Sequence, residues 1–354
     1  MPTVIAIFGN NARSAEKVGA CEIYRVTMPL THLSEFDKDW ETGWVFIDQI
    51  EKKELIQQLI LADIVVLPRW WTSQENLEGA KSFFETLRLM NKRIVYECDD
   101  DYSNIHREVH TGGDSSIVIA SVCDAITVST PYLKQWMEKL TGKKVYVAPN
   151  FIDRSLWDAY ANMSRPENLT IGLAGTKTHY NDWIVLKDIL PGILRDFPDV
   201  RLQVVHFHPD YIQYMDNPHI LIHPGARYLE YPAVINQIDV LLCPVDPDDP
   251  FNWSKSGIKA IEGMASKRLV RGKWAGACVL ATDMPIYRRE INNRHNGLLV
   301  KHTPEAWDKA IREVIQDGRF RERLQITGYK SVSRRYITNN WQVWRTIYKK
   351  ILED

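Results

Sequence analysis

The segment Pro250-Phe-Asn-Trp-Ser-Lys-Ser-Gly-Ile-Lys-Ala-Ile-Glu262 decides how this chain is read. It follows an apolar run over 240–245 and an acidic turn over 246–249. The order is strand, turn, helix, with the helix predicted to begin near Ser256. The first backbone N–H groups of a helix have no partner within it, and the helix dipole adds positive charge at the same end, so the mouth attracts anions. Lys255 stands at that mouth and Lys259 one turn in. Glu262, three residues further, shares a face with Lys259. Ammonium groups and N–H donors suit phosphates, and a carboxylate suits sugar hydroxyls. The same residues also make an ordinary capped surface helix with a Lys–Glu pair, and local physics leaves both readings open.

Outward from this segment the chain alternates short apolar runs with longer amphipathic ones. In the first half, runs over 4–8, 64–67, 93–97, 125–129 and 145–148 are short, β-branched and bounded by turn residues, which predicts strands. Stretches 51–62 and 77–90 place apolar residues at three- and four-residue spacing, which predicts helices. The second half repeats the pattern, with strands over 170–174, 202–206, 220–222, 240–243 and 278–281 and helices over 183–196, 257–265 and 304–316. Such alternation predicts an α/β fold of parallel sheets covered on both faces. The aperiodic stretch 150–168 reads as a linker between two Rossmann-like domains, 1–150 and 167–335. Trp341, Trp344 and Tyr348 mark a closing amphipathic helix within 336–354, expected to cross back to the first domain. Ligands of open parallel sheets bind beyond the carboxyl ends of the strands, and two such sheets facing each other are expected to form a cleft.

Composition narrows the function classes. The chain has 354 residues, 45% hydrophobic and 25% charged, as expected of a globular protein. No apolar run approaches the ~18 residues of a membrane helix, and the N-terminus lacks the features of a secretory signal. Residues 1–160 carry 17 Lys and Arg against 23 Asp and Glu, and the remainder carry 27 against 22. The basic second half suits an anionic small molecule such as a nucleotide, or is a solvated face; neither half is basic enough for a dedicated nucleic-acid binder. Cys21, Cys98, Cys123, Cys243 and Cys278 are scattered without a CxxC pair, which points to reduced thiols in the cytoplasm.

The pattern Lys255-Ser-Gly-Ile-Lys-Ala-Ile-Glu-Gly-Met-Ala265 resembles the nucleotide-sugar motif of the glycosyltransferase family 4-like enzymes of GT-B fold. The resemblance implies that Glu262 binds the ribose and that the helix N-terminus holds the diphosphate. Many members carry a second Glu where this chain has Ser254. Asn252, Lys255 and Ser256 resemble an Asn-x-x-Lys-Ser variant of the motif. A basic insertion over 266–274 interrupts the family pattern, which resumes at Ala275. Ile171-Gly-Leu-Ala-Gly-Thr-Lys-Thr-His179 looks like the first strand and phosphate loop of the family's C-terminal domain, which makes Gly175, Thr176, Lys177 and His179 donor-binding candidates. Asn296-Gly-Leu-Leu-Val300 is family-like, and Tyr24, Arg25 and Arg69 resemble cleft positions. The resemblance implies retaining transfer of a hexosyl or pentosyl group from a UDP- or GDP-sugar held by the C-terminal domain. The resemblance also implies an acceptor held by the first domain, its identity open among a glycan, a lipid-linked sugar, a small molecule and a modified nucleic acid. Lys255 and Lys259 would offset charge on the departing diphosphate, with no metal or other cofactor required.

Glu97-Cys-Asp-Asp-Asp-Tyr102 ends a predicted strand. Asp99 and Asp101 have the Asp-x-Asp spacing of a metal-dependent GT-A transferase, where carboxylates hold a divalent ion. The triplet also fits helix capping or a sugar-side role, in which Asp100 is the catalytic candidate. His106 and His110 follow at helical spacing, and His110, before Thr111-Gly-Gly113, is the candidate to lie over the donor sugar. His206 and His208 lack a partner at metal-ligand spacing. A non-catalytic nucleotide-sugar-binding protein is the alternative outside the enzymes. A nicotinamide-dependent enzyme is disfavoured, because no G-x-G-x-x-G follows the first strand.

Overall fold

A computed structural model describes residues 1–9, 19–47, 50–69, 77–101, 113–213 and 217–354. The chain forms two units. The first comprises Met1–Phe151, Trp253–Ser256 and Ile337–Asp354; the second comprises Ile152–Asn252 and Gly257–Tyr336.

The first unit is built on a six-stranded parallel sheet of β1 (Thr3–Phe8), β2 (Glu41–Phe46), β3 (Ile64–Pro68), β4 (Arg93–Cys98), β5 (Ala125–Val128) and β6 (Lys144–Val147), in the order β2-β1-β3-β4-β5-β6. β1 and β3 are buried along their whole length, as their unbroken Val/Ile/Leu content dictates for strands covered on both faces. The edge strand β2 is partly exposed, and its Glu41, Thr42 and Gly43 confine its apolar residues to the second half, which weakens its hydropathy signal. The helix Gln342–Glu353 packs Trp344 edge-on against Phe151, ring centroids 5.7 Å apart, and buries Ile347, Tyr348 and Ile351.

The second unit carries β7 (Thr170–Gly175), β8 (Arg201–His206), β9 (Ile220–His223), β10 (Val240–Cys243), β11 (Arg268–Val270), β12 (Lys273–Ala275), β13 (Cys278–Thr282) and β14 (Leu298–Val300). Six of them form a parallel sheet in the order β14-β13-β10-β7-β8-β9, and β11 and β12 form a separate antiparallel hairpin. Alternate residues of the sheet, among them Ile171, Leu173, Leu202, Val204, Val240, Leu242 and Leu280, pack with Trp183, Ile193, Trp307, Ile311 and Leu324 in one core. On the other face lies the helix Ile258–Ala265. A Cβ at its Gly263 would come within 2.7 Å of the Leu241 side chain and 2.9 Å of that of Val279, so glycine permits this close approach.

Three local expectations are corrected. The helix predicted over 183–196 is broken into Tyr180–Trp183, a 3₁₀ turn Ile184–Leu186 and Leu190–Asp196. Pro191 lacks an N–H and fits only the first turn of a helix, so the helix restarts there. The linker predicted over 150–168 contains the helix Arg154–Asp158, capped by Asp153 and anchored by fully buried Trp157; five residues are too few to show a period. The helix expected from Ser256 begins at Ile258, with Gly257 at its N-cap.

The basic insertion is the β11–β12 hairpin, with Leu269 paired to Trp274. Arg268, 5% exposed, fixes it to the amino end of the sheet by donating to Asp239 Oδ1 at 2.5 Å and to the Ile238 carbonyl. Burial pushes its guanidinium down to about 9, against the pull of Asp239. Arg268→Ala leaves Asp239 with only Arg165, 2.9 Å away, as its guanidinium partner, and the loss of this charge-assisted bond is expected to destabilise the second unit by about 1.5–2 kcal/mol, measurable as a drop in its urea midpoint. An unchanged midpoint would show that the hairpin is not anchored by this pair.

Candidate functional site

In the second unit the polar residues collect beyond the carboxyl ends of the central strands. β7 ends at Gly175, where a Cβ would lie 2.8 Å from both His179 Cδ2 and Lys259 Nζ. Glycine is what lets the ammonium reach the strand end, and Lys259 Nζ donates to the Ala174 carbonyl at 2.8 Å. The turn Thr176–His179 brings the His179 ring 2.6 Å from Asp182 through Nδ1, stacked at 14° on Trp183. Asp182 Oδ1 accepts from the Asp246 N–H at 2.8 Å and from Asn252 Nδ2 at 2.6 Å. Asn252 is fully buried, donates also to the Asp246 carbonyl at 2.9 Å, and among the described residues its Oδ1 finds no partner. Thr176 and Lys177 are exposed on the turn.

One turn along from Lys259, Glu262 is 5% exposed and accepts from the Tyr231 hydroxyl at 3.4 Å. Lys259 and Glu262 both act on Cys243 at the end of β10, whose thiol burial pushes up to about 12. Behind them His302 approaches Thr282 Oγ1 at 3.4 Å. Burial lowers its pKa, opposed by the fields of Asp246, Asp182 and Asp248. This cluster sets N–H groups, an ammonium and a buried carboxylate around one strand end, a set that suits a diphosphate and a vicinal diol.

The first unit has its own polar cluster at the ends of β3, β4 and β5. Arg69 adopts a left-handed backbone, φ 51°, and its guanidinium lies 3.4 Å from Asp99 and 3.5 Å from Glu22. The Asp101 N–H donates to Ser254 Oγ at 3.1 Å, and the Thr130 hydroxyl donates to the Ser254 carbonyl at 3.1 Å. Trp253 packs on Tyr132 with centroids 5.8 Å apart, and Asn150 Nδ2 donates to Ser256 Oγ at 2.9 Å. Burial, then the neighbouring Asp99, pushes Asp100 up to about 6, while Arg69 and Lys255 pull it back. Glu97 is pushed up to about 7 by burial, opposed chiefly by Arg25.

The candidates from the sequence thus divide. Gly175, His179 and Lys259 meet directly; Asn252 joins them through Asp182, and Glu262 lies one turn on. Ser254, Lys255, Ser256 and Asp100 belong to the first unit. Ser254 is fully buried with both its hydroxyl and its carbonyl engaged. His106 and His110 lie outside the described residues. Among the described residues no group of three or more His, Cys, Asp and Glu is arranged to hold a metal. Sequence reasoning missed Asp182, Asp246 and His302. The signal available for Asp246 and His302 was position just past a strand end; Asp182, within the helix Tyr180–Trp183, carried none.

No protein-family model matches the chain, and no curated protein matches it. Solved structures do. Sucrose-phosphate synthase from Thermosynechococcus elongatus aligns over 100% of both chains at 13% identity, TM-score 0.71. A glycosyltransferase from Rickettsia africae aligns over 100% of this chain and 99% of its own at 16% identity, TM-score 0.65. Anabaena HepE, solved in complex with UDP-glucose, aligns over 98% of this chain and 99% of its own at 15% identity, TM-score 0.64. The two parallel six-stranded sheets with flanking helices match these GT-B structures over the full chain, and the fold is GT-B. That architecture does not favour the GT-A alternative built on Asp99 and Asp101.

The raised pKa of Asp100 carries a stability consequence. The folded chain holds this proton more tightly than the ordinary value of 3.8. The group therefore stabilises the fold fully below that value, and the contribution is lost as pH rises through about 6. Asp100→Asn, neutral throughout, is expected to flatten the decline by on the order of 2 kcal/mol between about pH 4 and 7. Urea midpoints of both proteins across that range test it; parallel curves would contradict the assignment.

Proposed function

We propose that the chain is a glycosyltransferase that moves a sugar from a nucleotide-sugar donor, UDP-linked in the first instance, to an acceptor with retention of configuration. The observation that carries this reading is the second unit's strand-end cluster. An ammonium is held against the Gly175 turn while a buried carboxylate stands one helical turn away. In this reading Glu262 accepts hydrogen bonds from the ribose, and Lys259, the turn 175–179 and the first N–H groups of the helix Ile258–Ala265 bind the diphosphate. Lys255 offsets charge that grows on the departing phosphate, and Asp100 serves on the acceptor side. Catalysis is then positioning and charge stabilisation, a task these cations perform without a metal ion. The likeness of fold to HepE in complex with UDP-glucose supports a UDP-sugar, and the transferred group is proposed to be hexosyl or pentosyl. Among the described residues no helix is long and apolar enough to cross a membrane. All five cysteines are free thiols, four of them buried, which supports a cytoplasmic site of action.

Two outcomes test the reading. Glu262→Ala removes charge-assisted hydrogen bonds made alike in ground and transition states, so the donor KM is expected to rise about tenfold or more with kcat little changed. Lys255→Ala is expected to lower kcat about a hundredfold, more than it changes KM, as when one preorganised donor to a developing anion is lost. If both variants keep wild-type kinetics while folded by circular dichroism, the stretch 255–262 is not the donor site. Transfer is also expected to persist in excess EDTA. Activity lost there and restored by Mn²⁺ or Mg²⁺ would overturn the metal-free account. Tight donor binding with no turnover on any acceptor would favour a binding protein.

A further inference from the structure

Arg25 lies in a π-helical turn, Ile23–Thr27, a feature that recurs at functional sites. It is 2% exposed, as is Glu97. Its Nε–H donates to Glu97 Oε1 at 2.7 Å, and the Thr127 hydroxyl donates to Glu97 Oε2. Its Nη1 donates to the Ala148 carbonyl and to Asn150 Oδ1 at 2.8 Å. A guanidinium has only donors, so the Asn150 atom that faces it must be the carbonyl oxygen. The amide is thereby fixed, and Nδ2 is turned to Ser256 Oγ at 2.9 Å. That nitrogen also only donates. Ser256 Oγ accepts there, and its one hydroxyl proton is left for another partner; among the described residues no acceptor takes it. Ser256 directly follows Lys255 in the chain, and the charge of Lys255 acts on Asp100. A hydroxyl whose oxygen already accepts has its proton to donate, and it donates most strongly to an oxygen that carries negative charge.

We infer that Arg25 and Asn150 are positioning residues that fix the polarity of Ser256, so that its hydroxyl is presented as a donor to a phosphoryl oxygen of the substrate. The inference rests on the nucleotide-sugar reading above and deepens it. The chain of donors runs in one direction, from Arg25 to Asn150 to Ser256 to the phosphoryl oxygen, and Glu97 holds its first member in place.

The direction can be reversed by one atom. Asn150→Asp keeps the shape and the partner Arg25, but a carboxylate only accepts, so Ser256 must turn its proton inward. Ser256→Ala removes the proton altogether. In calorimetric titrations with UDP, each variant is expected to bind about tenfold more weakly than wild type. The double variant is expected to bind no more weakly than either single one. Pyrophosphate is expected to show the same loss, and uridine none. Wild-type affinity in Asn150→Asp, additive losses in the double variant, or an equal loss for uridine would overturn the inference. Neutron diffraction from crystals of the unliganded protein reads the polarity without any ligand. The Ser256 deuteron is expected to point away from Asn150, and a Ser256 deuteron lying between the two side chains overturns the relay itself. A wild-type chain that binds none of UDP, GDP and pyrophosphate overturns the donor reading and the phosphoryl contact together, whatever the neutron map shows.

Discussion

A parallel strand can be followed by another only through a crossover that returns over the sheet, and both units of this chain obey that constraint. The crossovers cover both faces, so the central strands are buried from end to end, as in β1, β3, β10 and β13. Polar groups are excluded from the faces and accumulate where the strands stop. All strand ends of one sense lie on one edge of the sheet, which brings together residues far apart in sequence. Gly175 ends β7, Asp246 and His302 follow β10 and β14, and Arg69, Asp99 and Ser129 follow β3, β4 and β5. The chemistry proposed for this chain is a consequence of that topology.

Burial gives the groups at these edges their character. Ammonium and guanidinium groups taken out of water hold their geometry only when hydrogen bonded, and here they are tied to carbonyls and carboxylates at strand ends. Lys259 is fixed by the Ala174 carbonyl, and Arg25 by Glu97, the Ala148 carbonyl and Asn150. In the proposed reading a group so fixed, Lys259, meets a developing anion without reorganising, which is the property that electrostatic catalysis of phosphate departure requires. The same burial raises Asp100 and Glu97 toward neutrality, so the first unit carries carboxyl groups whose charge responds to modest changes in pH.

Much of this was legible in the sequence, for physical reasons. Buried parallel strands advertise themselves as unbroken apolar runs, and ten of the twelve strands in the two parallel sheets lie where such runs predicted them. The exceptions are β2, half exposed at an edge, and β14, three residues long. The segment 250–262 pointed to a strand-turn-helix with Lys259 and Glu262 on one helix; the structure starts that helix two residues later than expected and places a short unexpected helix, Pro250–Ser254, before it. What the sequence did not disclose is long-range. Nothing local marks Asp182 as the partner of His179 and Asn252, or shows that Ser254 is buried by Asp101 and Thr130. Arg25 had only a weak family likeness, because its partners lie 72, 123 and 125 residues away.

The central claim is that the end of β7 and the helix Ile258–Ala265 together hold a nucleotide sugar. A crystal structure of the chain soaked with UDP tests this most directly. The account expects a phosphate within hydrogen-bond distance of Lys259 Nζ and the Gly175 turn, with both ribose hydroxyls on Glu262. A nucleotide bound with its phosphates elsewhere, or with its ribose away from Glu262, would contradict it.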